Sequence, residues 1–226
     1  MRLGILGGTF DPIHAGHLDA ASAALRALAL DRVLFVPSHV PPHRNAPHAS
    51  SYHRFAMLAL AIQPWPAFTL SDLELRDPGP SYTAVTLRRL HGRGLTASQL
   101  FFITGVDAFA EIATWHDYPA VLDAGQFVVV SRPGYLHEDL RARLPELQHR
   151  FVDVGDTAPP GASAHGTSIY LLRATTADVS STDVRRRLAD RDLLDDLAPR
   201  AVAEYARRHQ LYDSASGAAD VLHDQE

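Results

Sequence analysis

Gly7-Gly8-Thr9-Phe10-Asp11-Pro12-Ile13-His14-Ala15-Gly16-His17 follows a short apolar run, Leu3 to Leu6. It precedes a segment in which Leu18, Ala21, Leu25 and Leu28 recur at steps of three and four. That spacing puts the four on one helical face. The stretch therefore reads as a strand handing over to a helix, with two glycines and two histidines at the junction. N–H groups at a helix start lack intrahelical acceptors and that end is partly positive, so anions bind there. Glycine lets a ligand approach the backbone closely. The His-x-Gly-His spacing lets two imidazoles reach one ligand from the first helical turn. On spacing alone an ordinary turn with incidental histidines stays open. No Gly-Lys-Ser/Thr follows and Gly-x-Gly-x-x-Gly is absent, which excludes a Walker loop and a dehydrogenase fingerprint.

Outward from this junction, unbroken apolar runs recur at Val33 to Val36, Leu100 to Ile103, Phe127 to Val130 and Ile169 to Leu172. Strands buried on both faces read this way, and such strands belong to parallel sheets covered by helices. Helical patterns fall between them. Phe55, Leu58 and Ile62 share a face, Val85 and Leu90 sit in a helix ending near Gly92 and Gly94, and Pro199 opens a last helix with Val202, Tyr205 and Ala206. Alternating strands and helices predict a doubly wound α/β sheet with right-handed crossovers. Its ligand site lies at the carboxyl ends of the strands, where strand order reverses. Pro37 to Ala49, with four prolines and three histidines, follows the second strand and falls at that edge. Asp153 to Thr167 reads as a surface excursion. One domain is expected over 1–212, helical from 178 to 212, with a disordered polar tail over 213–226.

The 226 residues are 46% apolar, enough for a sizeable core, and carry a formal charge of −5, which disfavours a general nucleic-acid binder. There is no cysteine, so thiol catalysis, disulfides and zinc–thiolate sites are excluded. No apolar stretch is long enough to span a membrane and no leader pattern opens the chain, so a cytoplasmic location without membrane partners is expected.

Val179-Ser180-Ser181-Thr182-Asp183-Val184-Arg185 is the second notable stretch. Ser180 and Asp183 have the spacing of a capping box. One hydroxyl suffices for a cap, so three in a row, together with Arg185, leave a second anion site open beside the capping reading. Arg186 and Arg187 are expected to face solvent. His39, His43, His48 and His53 fall within fifteen positions, but their steps of four and five in a proline-rich loop fit no ordinary zinc spacing. On spacing alone, Asp107 reads equally as a helix N-cap or a ligand-binding carboxylate, and Trp115 as a core residue or a stacking platform.

Taken together, these stretches resemble the nucleotidylyltransferase superfamily that carries His-x-Gly-His and Ser-Ser-Thr-x-x-Arg signatures. Pro41-Pro42-His43-Arg44, Gly79-Pro80-Ser81-Tyr82-Thr83, Gly105-Val106-Asp107 and Trp115-His116 occur in the order seen in the bacterial nicotinate-nucleotide adenylyltransferase family. The resemblance runs from residue 1 to Tyr212. It implies a Rossmann-like fold with helices on both sheet faces. It also implies adenylyl transfer from ATP, as its Mg²⁺ complex, to nicotinate mononucleotide, giving nicotinate adenine dinucleotide and pyrophosphate. By the same resemblance His14, His17 and Arg185 are catalytic. Gly7, Gly8, Thr9, Phe10, Ser180, Ser181 and Thr182 hold ATP and its phosphates. His43, Arg44, Thr83, Ala84, Asp107, Trp115 and His116 hold the acceptor, with Asp107 on a ribose and Trp115 against the pyridine ring. No metal held by the protein is implied. Competing readings are the same chemistry on nicotinamide mononucleotide or phosphopantetheine, a nucleotide-binding regulatory module without turnover, and a metal-dependent hydrolase using the histidine-rich loop.

Overall fold

A computed structural model describes residues 1–42, 46–131, 137–155, 166–194 and 196–213. Seven strands, β1 (Leu3–Gly8), β2 (Arg32–Pro37), β3 (Phe68–Leu70), β4 (Leu100–Gly105), β5 (Gln126–Val130), β6 (Phe151–Val154) and β7 (Ile169–Leu172), form one sheet. Their order is β3-β2-β1-β4-β5-β7-β6, and every pairing is parallel. The helices are α1 (Ala15–Ala27), α2 (Ser51–Ile62), α3 (Thr83–His91), α4 (Val106–Phe109), α5 (His137–Arg143), α6 (Ser181–Ala189) and α7 (Arg200–Arg208).

The apolar runs feed two cores because successive strand residues point to opposite faces. Phe101, Ile103, Val128, Val130, Tyr170 and Leu172 pack with the buried faces of α1, α2, α6 and α7. Leu100, Phe102, Phe127, Val129, Ile169 and Leu171 pack on the other side with α3, α4 and Leu140 of α5. This is the expected doubly wound sheet with helices on both faces. Gly4 in β1 belongs to the first face: a Cβ there would lie 2.9 Å from Leu30 and 3.1 Å from both Val33 and Ile103.

The sequence reading missed β3 and β6. Both are short outer strands, the second largely half-exposed, so neither leaves a continuous apolar run. The surface excursion expected from Asp153 accordingly begins inside β6, and 156–165 lies outside the described residues, as does 214–226 of the expected tail. Phe55 is half-buried; the buried stripe of α2 is Arg54, Met57, Leu58, Ala61 and Ile62, because this helix is covered by the sheet on one side and by α7 on another. Pro199 caps α7 from outside rather than opening it.

Strand order reverses at β1, which pairs with β2 on one side and β4 on the other. The loops that leave the carboxyl ends of β1 and β4 diverge there and leave a crevice.

Candidate active site

Two groups of residues meet at that crevice. The first is the junction after β1. His14 is the N-cap of α1, and its N–H donates to Nδ1 of His17 at 3.3 Å. The two rings lie 3.7 Å apart, with Phe10 edge-on to His17 at 5.0 Å. An Nδ1 that accepts a hydrogen bond carries no proton, so in the neutral ring the proton sits on Nε2. The start of α1 is less open than the sequence suggests, because the Ala15 N–H donates to Leu197 O at 2.8 Å. Phe10 adopts φ +51 with its side chain buried, a left-handed conformation costing an aromatic residue roughly 1–3 kcal/mol. Its ring occupies the space above Gly8, where a Cβ would meet it at 3.1 Å.

The second group is the start of α6. Ser180 and Asp183 form both arms of a capping box, and the Ser180 bonds hold the Asp183 carboxyl below the usual range. Ser181 Oγ donates to Pro12 O at 2.9 Å. Arg185 Nη1 donates to Asp11 O at 2.7 Å, and Nη2 lies 3.2 Å from Thr182 Oγ1, which accepts. Residues 169 and 174 positions apart in sequence are thus hydrogen-bonded across one site. Gly16 permits this approach, since a Cβ there would lie 3.2 Å from Ala177 O and 3.3 Å from the His14 ring. Of the two arginines expected at the surface, Arg186 is exposed and Arg187 half-buried, donating to Leu193 O.

Beside these groups lies a cavity of about 450 Å³, within the range of small-molecule sites. Gly7, Gly8 and Thr9 line it together with Ser38, Glu74, Tyr82, Phe102, Trp115 and His116. Trp115 is half-buried: it packs edge-on against Phe102 at 6.0 Å and lines the cavity. His116 stacks on Tyr82 at 4.3 Å. Thr83 and Ala84 open α3, where N–H groups have no intrahelical acceptor. Ala84 itself is buried. Asp107 is an exposed residue in the first turn of α4, and Gly105 is the N-cap, which removes the capping reading of Asp107. His43 and Arg44 lie outside the described residues.

The sequence reading did not single out three residues that organise this site. Arg54 is buried on α2 and donates to Thr9 O at 2.6 Å, Ser38 O at 2.7 Å and Ala49 O at 3.2 Å. One guanidinium thereby joins the ends of β1 and β2 to the start of α2. Burial pulls its pKa below the ordinary arginine value, opposed by Asp11. The signal was present: Arg54, Leu58 and Ala61 share the i, i+4, i+7 stripe, where a lone arginine is conspicuous. Asp11, 5% exposed, accepts from the N–H groups of His48 and Ala49 and from the Tyr212 hydroxyl. Glu74 accepts from Thr86 Oγ1 at 2.5 Å, and burial pushes its carboxyl above the ordinary 4.5 despite that bond.

The histidine-rich stretch diverges. His48 turns to Asp11, and His53 pairs with Tyr205 of α7 at 3.0 Å. Among the described residues no group of three or more His, Asp or Glu is placed to hold a metal ion. No helix of the described residues is long and apolar enough to cross a membrane.

An open parallel sheet with phosphate-suited residues at the reversal of strand order is the architecture of a nucleotide-binding α/β protein. In agreement, residues 5–187 match the family model described as cytidylyltransferase-like. Proteins named "Probable nicotinate-nucleotide adenylyltransferase" match over nearly their whole length. That of Thermus thermophilus is 42% identical, over 94% of this chain and 100% of the relative. That of Cronobacter sakazakii is 42% identical over 92% and 94%, and that of Shewanella sp. (strain MR-4) 36% over 95% and 100%. The chain belongs to the nicotinate-nucleotide adenylyltransferase family. The solved Plasmodium falciparum nicotinic acid mononucleotide adenylyltransferase complexed with NaAD shares the fold, with TM-score 0.66 at 17% identity over 93% of this chain and 97% of that one.

Two outcomes follow from the buried charges. Arg54→Met leaves the Thr9 and Ser38 carbonyls without their donor and should lower unfolding free energy by about 3–5 kcal/mol in urea titration. Arg54→Lys should not restore it, because one ammonium cannot span the same carbonyls. A carboxyl whose folded pKa is raised destabilises the native state once pH exceeds that value. Glu74→Gln should therefore raise the Tm at about pH 7.5, and the gain should vanish near pH 4, where both forms are neutral.

Proposed function

We propose that the protein transfers the adenylyl group of ATP to nicotinate mononucleotide, releasing pyrophosphate and forming nicotinate adenine dinucleotide, a step of NAD biosynthesis. The observation that carries this reading is the pair of hydrogen bonds from Ser181 to Pro12 and from Arg185 to Asp11, which joins the histidine loop to the hydroxyl–arginine cluster beside an aromatic cavity. The names of the relatives supply the substrate class.

In the proposed mechanism an oxygen of the mononucleotide's 5′-phosphate attacks the α-phosphorus of ATP in line. The bond from the α-phosphorus to the bridging oxygen breaks, and pyrophosphate departs with the electron pair. A phosphate dianion is already nucleophilic, so the protein needs no strong base and no covalent intermediate. Its work is to bring two anions together and to stabilise charge moving toward the leaving group. Ser180, Ser181 and Thr182, with Arg185, hold the β- and γ-phosphates at the start of α6. His14 contacts the phosphates. His17, whose Nδ1 is engaged by the His14 N–H, presents Nε2–H to the α-phosphate. Gly7, Gly8, Thr9 and Phe10 form the floor. Mg²⁺ would arrive as part of the ATP complex, bridging substrate phosphates as it does in many nucleotide-using enzymes.

The acceptor ring lies against Trp115. Its carboxylate is met by the N–H groups of Thr83 and Ala84 at the start of α3 and by His116. Asp107 binds a ribose, and His43 with Arg44 binds the acceptor phosphate. A cytoplasmic location fits this chemistry.

Pyrophosphate release with ATP, Mg²⁺ and each of nicotinate mononucleotide, nicotinamide mononucleotide and phosphopantetheine tests the proposal. The nicotinate form should give the highest kcat/KM. Preference for another acceptor overturns the assignment, and ATP binding without release supports a regulatory module instead. Two substitutions should separate the roles within the site. His17→Ala should lower kcat about 10²–10³-fold with little change in acceptor KM, as for loss of a donor to developing charge. Trp115→Ala should act mainly on acceptor KM.

A further inference from the structure

We propose that Tyr212, after the last helix, is a positioning residue for adenylyl transfer, acting through Asp11 to hold the histidine loop in register with Arg185. The inference rests on the proposed phosphate-handling roles of His14, His17 and Arg185.

Asp11 is a negative charge inside a site built for anions. Its Oδ1 accepts from the Ala49 N–H at 3.1 Å and the Tyr212 hydroxyl at 2.8 Å. Its Oδ2 accepts from the His48 N–H at 2.8 Å, with His48 Nδ1 at 3.3 Å and Arg185 Nη1 at 4.0 Å. The same arginine nitrogen donates to the Asp11 carbonyl at 2.7 Å. Asp11 therefore fixes Arg185 through its main chain while its carboxylate must be kept from drawing the guanidinium off that carbonyl. Tyr212 supplies the one side-chain hydroxyl in this set.

The tyrosine is held for the purpose. It comes 201 residues after Asp11 and has φ +69, a left-handed conformation that a tyrosine keeps only where its contacts over-determine it. Leu211 beside it is buried in the core shared by α2 and α7, which fixes the approach. Burial and the neighbouring carboxylate push the phenol above its ordinary 10, so the hydroxyl stays a donor at any working pH. Neither Tyr212 nor Asp11 lines the aromatic cavity, so acceptor affinity should be indifferent to both.

Steady-state kinetics of Tyr212→Phe, Asp11→Asn and the double variant, with saturating Mg²⁺–ATP and varied nicotinate mononucleotide, test this. Tyr212→Phe should lower kcat about tenfold, with acceptor KM within about twofold and Tm within a few degrees of wild type. The double variant should be no slower than the slower single variant, because both remove the same contact. A kcat within twofold of wild type for Tyr212→Phe, losses that multiply in the double variant, or an effect confined to acceptor KM each overturns the proposal. Should the wild type transfer adenylyl to none of the acceptors, the proposed function fails separately. Amide hydrogen exchange over residues 10–14 then decides: faster exchange in Tyr212→Phe upholds the positioning role of Tyr212, and unchanged exchange overturns it.

Discussion

The Asp11 carboxylate is almost wholly withdrawn from water in a place suited to phosphate, and much of the surrounding architecture makes that charge tolerable. Two backbone N–H groups, a phenol and a nearby guanidinium face it. Arg54, equally buried, binds the carbonyls of the adjoining loops from below. An isolated buried ion is expensive, so each exists only because several chain segments converge on it. The converse also holds: those segments are fixed because the ions require them. The loops after β1 and β2, the starts of α2 and α6, and the segment after α7 are joined by this polar cluster.

The sheet supplies what the cluster cannot. Two apolar faces bury α1, α2, α6 and α7 on one side and α3, α4 and α5 on the other. Helices that lead from the carboxyl ends of parallel strands direct their N-termini to the same edge, so α1, α3 and α6 converge there without a dedicated device. The crevice then divides by chemistry. Hydroxyls, imidazoles and Arg185 gather on the side of α1 and α6, while Trp115, Tyr82 and Phe102 shape the cavity next to the glycines of β1. The two halves suit a molecule with an anionic end and a flat aromatic end, as the proposed reaction requires.

The sequence was legible where structure is local or strongly periodic. The strand–turn–helix at Gly7 to His17, the five apolar strands and the Ser180–Asp183 cap depend on neighbours a few residues away. The outer strands β3 and β6 were not, because half-exposed edges need no continuous apolar run. Phe55 and the capping reading of Asp107 failed for a related reason: the orientation of a short helix is set by what packs on it, and Gly105 already occupied the cap.

The order of residues alone determined the sheet class, the edge that carries the candidate site and the chemical character of both anion-suited stretches, since hydropathy period and turn chemistry act within one element. Only the tertiary structure decided that Ser181 and Arg185 meet Pro12 and Asp11, that the first N–H of α1 is taken by Leu197, and that Arg54 and Tyr212 belong to the site. Hydrogen bonds between residues 169 to 201 positions apart leave no periodic trace. They arise from how the helices settle on the sheet, and a buried charge becomes recognisable as a hub only when its partners have been brought to it.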